Sequence, residues 1–259
     1  MSRNSDWTRE QHILAFNLYN RIPFGKFDQR TPEVEELAEL IGRTPSAVSF
    51  KLANFARLDP FHQARGVAGL SHGAKGEAAI WAEFKESPEV LAVESEKLRA
   101  QMLHETLEEA ADIETDDLPQ AGLERDAVVK VRVSQSFFRR RILSAYNFRC
   151  CVTGLAAKPL LTASHIIPWA EDAANRLNPR NGLCLNALHD RAFDRCLMWI
   201  EDGFVIRFSP RLHEFITDNR EPVEWVTQFE GNTLILPKKL SPDPEFLKRH
   251  AARCKAKLG

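Results

Sequence analysis

No stretch of the chain approaches the ~20 consecutive apolar residues that a membrane-spanning helix needs. The opening residues, MSRNSDWTREQH, also lack the apolar centre of a secretion signal. Both absences lead to the expectation of a cytoplasmic protein with no membrane partner. Cysteine is scarce: there are five, an odd number that includes the adjacent Cys150 and Cys151. No disulfide framework is expected from that count, which suits a reducing compartment. There is no internal repeat, which excludes solenoids and propellers, and no low-complexity tract. An overall charge excess is missing too, since 35 Lys and Arg face 36 Asp and Glu for a formal net charge of -1. What the 259 residues do have is a 44% hydrophobic content, enough for the ordinary buried cores of one large domain or two small ones.

The near-neutral total hides segregation. Residues 93–126 hold eleven acidic and three basic residues, a net -8, so the remainder carries +7. Within that remainder, residues 130–149 contain Lys130, Arg132, Arg139, Arg140, Arg141 and Arg149 and no acid. A cluster of this kind attracts phosphate backbones. The acidic, Pro-containing stretch DIETDDLPQAGLERD reads as a linker. It divides the chain into a helical recognition module at 1–90, a helical and acidic linker at 91–128, and a further domain at 129–259.

The first module reads as three short helices. Thr8 caps a segment with Ile13, Leu14, Phe16 and Leu18 at near-helical spacing. Thr31 and Pro32 open a second with Val34, Leu37, Ala38 and Ile41 on one face, stopping at Gly42. Thr44 and Pro45 open a third that buries Val48, Leu52 and Phe55. Helix, Gly-containing turn and helix form the helix-turn-helix pattern, whose last helix can lie in a DNA major groove. With Trp7 and GRTPSAVSFKL, the segment also resembles Myb/SANT-like modules. Ser46, Ser49 and Lys51 are the expected exposed DNA contacts. The stretch RLDPFHQARGVAGLSHGAKG reads as an ordered loop or a nucleic-acid contact segment.

Further on, SQSFFRRRILSAY reads as a helix with Phe137, Phe138, Ile142, Leu143 and Tyr146 inward. RCCVTG and PLLTASHIIPW then lead through a polar loop to NGLCLNALHDRAFDRCL. His165, Asn181 and His189 fall at a strand end, at the start of a second strand, and on a helix beginning near Asn186. This order, with SHIIPW and NPRNGLCLNALHDRAFD, resembles the HNH endonuclease family over about residues 134–215, and its restriction-type members in particular. The resemblance implies an α+β chain ending in a ββα-metal nuclease domain, and the alternating LMWIEDGFVIRFS around Asp202-Gly203 adds a hairpin to it. It also implies cleavage of double-stranded DNA to 5'-phosphate and 3'-hydroxyl ends with Mg²⁺ or Mn²⁺.

The chemistry suits the residue types. Histidine titrates near neutrality, so His165 is the expected base that deprotonates water. His189 would hold the metal, and Asn181 would donate and accept within the loop backbone. Arg139, Arg140, Arg141, Arg149 and Arg180 are the expected phosphate contacts. This chain has Ser164 where many relatives place a second metal ligand before the base, and Asp194 is the expected substitute. Counted back from His189, the family's Asn falls at Arg180, so Asn181 implies a one-residue deletion. Two CxxC pairs that hold structural zinc in many HNH domains are missing, with Leu185 and Leu188 where the second stands, so no zinc knuckle is expected and these leucines read as core packing. One site per chain cutting two strands suggests a homodimer. The rival classes are a non-catalytic helix-turn-helix regulator and a defence nuclease whose first module senses something other than DNA.

Overall fold

The computed structural model describes residues 6–66, 75–111, 113–115, 118–119, 122–215, 224 and 226–257. It is an α+β protein that divides into two compact units, Met1–Phe137 and Phe138–Gly259. In the first unit, α1 (Arg9–Arg21) starts where Thr8 and Gln11 satisfy each other's backbone amides in a capping box. Helix α2 (Pro32–Leu40) has proline in its first turn, and α3 (Pro45–Leu58) is capped by Thr44, which accepts from the Ala47 amide. Between them Gly42 takes φ +65°, a left-handed turn open to glycine at no steric cost. The apolar positions named from periodicity are all buried: Ile13, Leu14, Phe16 and Leu18 on α1, Val34, Leu37 and Ala38 on α2, and Val48, Leu52 and Phe55 on α3.

Helices α4 (Pro60–Gln63), α5 (Lys75–Phe84), α6 (Pro88–Leu103) and α7 (Leu107–Ala110) complete the helical unit up to α8 (Leu123–Ala145), inside which the boundary between the units falls. The Gly- and His-rich stretch read as a loop contains α4, and its residues 67–74 lie outside those described.

One expectation for this unit is overturned. Lys51 is not an exposed DNA contact: it is 6% exposed, and its ammonium donates to Glu77 Oε1 at 2.6 Å. The cause is α5, which delivers a fully buried carboxylate that needs a neutralising cation. Lys51 Nζ also donates to His12 Nε2 at 3.2 Å and lies 4.6 Å from the Trp7 ring centroid. Ser49, half-buried, donates to the Phe27 carbonyl, and half-buried Ser46 lies 3.1 Å from the Thr44 hydroxyl.

The second unit is built on two antiparallel strand pairs. β1 (Leu161–His165) pairs with β2 (Gly182–Asn186), setting His165 opposite Gly182. α9 (Ala187–Asp194) follows directly, with Asn186 as its cap. β3 (Met198–Glu201) and β4 (Val205–Phe208) form the hairpin signalled by Asp202-Gly203, where Gly203 takes φ +73°. α10 (Pro244–Ala256) closes the described chain. Two details depart from the sequence reading. Leu188 is 45% exposed, because the cap at Asn186 turns His189 inward and leaves Leu188 outside; Leu185 is fully buried. Cys196 and Cys254, 58 residues apart, form a disulfide, a pairing in space that no sequence spacing signals.

Gly182 sits where a side chain would not fit. A Cβ there would overlap Ile142 and fall 2.8 Å from Phe138 Cζ, and both residues are fully packed core. Gly182→Ala is therefore expected to destabilise the second unit by about 1–3 kcal/mol, measured as a shift in urea midpoint without a change in slope.

Candidate nuclease site

His165 ends β1, and its ring is held on three sides. It stacks on Phe138 with centroids 3.8 Å apart at 12°, and the Trp169 ring meets it edge-on at 5.6 Å. Its Nε2 donates to the Arg176 carbonyl oxygen at 2.9 Å. A carbonyl oxygen can only accept, so the proton of the neutral ring sits on Nε2 and the lone pair on Nδ1. Burial pushes the His165 pKa below its ordinary value, opposed by the Arg176 carbonyl and the charge of Asp194. At neutral pH the ring is a free base with a fixed tautomer.

Asn181 fixes the loop that carries this arrangement. Fully buried, its Oδ1 accepts the Ile167 amide at 2.8 Å while its Nδ2 donates to the carbonyls of Ile167 at 3.0 Å and Asn175 at 3.2 Å. The Ile166 amide donates to the Asn181 carbonyl at 3.0 Å. The two ends of the β1–β2 loop are thus stitched together beside His165.

The carboxylates come from α9. Asp190 and Asp194, four residues apart, share a helix face. Burial raises the half-buried Asp190 carboxyl above its ordinary pKa; the Ser164 hydroxyl, Arg191 and Arg139 act to lower it, and the Asp194 charge raises it further. The Ser164 hydroxyl approaches from β1, is itself buried, and completes no hydrogen bond of ordinary geometry. Asp190 thus meets Ser164 while the exposed Asp194 acts on His165 through its charge, and both offer carboxylate oxygens of the kind a hard divalent cation takes.

His189 belongs to different surroundings. It is fully buried, with Nδ1 3.1 Å from Asn186 Oδ1 and Nε2 3.3 Å from the Val226 carbonyl, beside the rings of Phe208 and Phe229. Burial lowers its pKa. Both ring nitrogens face acceptor oxygens, so the neutral ring donates from one and keeps a lone pair without a donor on the other. The structure therefore sets Asn181 in the loop after His165, with Asp194 acting on His165 and Asp190 meeting Ser164, and seats His189 on α9 beside Val226, Phe208 and Phe229.

The arginines vary in engagement. Arg139 is exposed and donates to the Leu161 carbonyl at 2.7 Å; Arg149 is exposed and donates to the Gly154 carbonyl at 3.2 Å. Arg180 is half out in solvent and pairs with Asp243 at 3.2 Å. Arg140 and Arg141 are half-buried, each with interactions of its own.

Residues 150–201 match the HNH endonuclease family. The match runs from the first buried cysteine through β1, β2 and α9 to the end of β3, so it contains His165, Asn181, Asp190 and Asp194. An HNH domain marks nuclease chemistry on a nucleic acid, and HNH nucleases use a divalent metal. Against curated proteins the chain finds no match. Among the described residues, no helix is long and apolar enough to cross a membrane.

Sequence reasoning passed over Asp190, although a signal existed. The one-residue deletion arises only when the family's spacing is counted from His189. Counted from Asp190, it lands on Asn181.

Proposed function

We propose that the second unit is a metal-dependent DNA endonuclease in which His165 Nδ1 is the general base and Asp190 and Asp194 hold the cation. The observation that carries this reading is the hydrogen bond from His165 Nε2 to the Arg176 carbonyl, which leaves one basic nitrogen on a ring that Phe138 keeps from turning. His165 takes a proton from the water that attacks phosphorus, and Asn181 keeps the loop backbone from drifting as it does so. A Mg²⁺ or Mn²⁺ ion bound at the two carboxylates would stabilise negative charge developing on the phosphate and the departing 3'-oxygen. His189 serves this reading as the packed anchor of the first turn of α9.

Arg139, Arg149 and Arg180 are the exposed candidates for the DNA backbone, with Arg140 and Arg141 behind them. Double-stranded DNA as substrate, a restriction-type role, DNA positioning by the helix-turn-helix of the first unit, and a homodimer cutting both strands complete the proposal. Asp190→Asn and Asp194→Asn proteins are each expected to lose about 10²-fold or more in plasmid cleavage with Mg²⁺ while melting normally. Cleavage at wild-type rate by the doubly substituted protein would remove the cation from these positions. DNA binding by the wild-type protein without nicks in Mg²⁺ or Mn²⁺ would favour a regulator instead.

A further inference from the structure

Helix α10 touches both parts of the candidate site. Towards the β1–β2 loop, Arg253 pairs with Glu171 at 3.2 Å and Arg249 reaches Asp172 at 3.9 Å. At its cap, Asp243 takes the Arg180 guanidinium at 3.2 Å and donates its amide to the Arg180 carbonyl at 2.9 Å. Towards α9, His250 stacks on Phe193 with centroids 3.6 Å apart at 5°, and its Nε2 donates to the Phe193 carbonyl at 3.2 Å. The disulfide from Cys254 to Cys196 is the covalent member of this second set.

The position of Cys196 is informative. It is the left-handed residue that ends α9, at φ +58°, with its amide on the Phe193 carbonyl at 3.0 Å and the next amide, Leu197, on the Ala192 carbonyl at 2.8 Å. This is a Schellman ending, whose left-handed position is usually glycine because a Cβ is strained there. The chain carries that strain and in return places a sulfur beside Cys254. The Cα separation of 4.8 Å lies within the ordinary disulfide range. Cys196 is 4% exposed and Cys254 is buried, but Cys254 lies in the last turn of α10, where helices open most easily.

We propose that Cys196 and Cys254 are a redox latch: as a disulfide they clamp α10 across the loop that carries His165 and the helix that carries Asp190 and Asp194, and as a dithiol they loosen it and slow cleavage. The effect on cleavage rests on the proposed function; the latch itself does not. A dithiol reductant opens it when a thiolate attacks one sulfur and the Cys196–Cys254 bond breaks. The reductant's second thiol then displaces the mixed disulfide and leaves as a disulfide, with two electrons and two protons ending on the cysteines. Peroxide closes it, one thiol becoming a sulfenic acid with loss of water and the second displacing hydroxide as another water.

The same sulfurs and His250 place three ligand-type atoms within 4.8 Å of one another, as a metal site would. The arrangement favours thiol chemistry: Cys254 Sγ is 3.7 Å and 3.6 Å from the two ring nitrogens, along neither lone pair in particular, and Nε2 already has its carbonyl.

The test uses the full chain purified without reductant, alkylated before and after treatment with a phosphine reductant, and followed by mass, hydrogen exchange and plasmid cleavage. Only reduction should free Cys196 and Cys254, exchange over 244–256 should quicken by at least about tenfold, and cleavage should fall. Cys196→Gly, which suits the left-handed backbone, and Cys254→Ser should behave as the reduced protein with or without reductant. Both thiols reacting before reduction and failing to close with peroxide would overturn the latch. So would unchanged exchange after reduction, or retention of one zinc ion per reduced chain. A chain that cuts no DNA at all would still show the exchange change, so the two proposals fail separately.

Discussion

Replacing His165 with alanine is expected to lower plasmid cleavage by about 10²–10⁴-fold, the usual contribution of a positioned proton acceptor, with little change in DNA binding. Three features make this the largest expected effect on activity: the tautomer is fixed by the Arg176 carbonyl, the ring cannot swing off Phe138, and Asp194 is the charged group that acts on it. The pH profile supplies an independent check. Protonation fills the Nδ1 lone pair, so cleavage must rise with pH through the His165 pKa and then level off. Because burial lowers that pKa, the rise should be centred below the ordinary value of 6.5. A rise centred above 6.5, or a flat profile from pH 5 to 8, would remove His165 from the role. In the His165→Ala protein the residual rate should lose this rise.

The largest expected effect on stability lies in the other unit, at Lys51→Ala. The substitution leaves Glu77 fully buried with its cation gone, a loss of about 3–5 kcal/mol for breaking a buried pair from one side. Burial works to raise the Glu77 carboxyl, yet hydrogen bonds from Lys51 and Asn54 and its own amide hold it below the ordinary range, so the charge is retained. His12 cannot replace the lost cation, since burial lowers its pKa and its Nδ1 already donates to the Thr8 carbonyl at 2.8 Å. Lys51→Met with Glu77→Leu removes both charges and should recover most of the loss in urea unfolding. Equal destabilisation by the single and double variants would show that the pair is not coupled. As a DNA-contact test the single variant would mislead, since weaker binding would report unfolding.

Local signals in the sequence were read well where local physics decides. Thr8, Thr44 and Asn186 cap helices, Pro32 and Pro45 open them, and Asp202-Gly203 turns a hairpin, because each acts within a few residues of itself. The position of His165 at a strand end and of Asn181 just before the next strand was legible for the same reason. What escaped was decided by partners far along the chain. Lys51 looks like an exposed helix residue until α5 brings Glu77 to it, 26 residues later. Leu188 looks like core until the cap sets the phase of α9. His189 and Asp190 stand side by side in the motif, and packing decides their surroundings: His189 meets Phe208 and Phe229, while Asp190 meets Ser164 and Asp194 acts on His165. Cys196 and Cys254 are an extreme case, with 58 residues between them and nothing in the spacing to join them.

The stack of Phe138 under His165 bears on where the HNH domain can be cut free. The family match starts at residue 150, but the floor under the His165 ring and the wall against Gly182 are supplied by Phe138 and Ile142, upstream of it. An excised fragment beginning at 150 would have its imidazole exposed on an unbacked strand. The smallest fragment that keeps this site intact therefore carries the arginine-rich turns of α8 as part of its own scaffold.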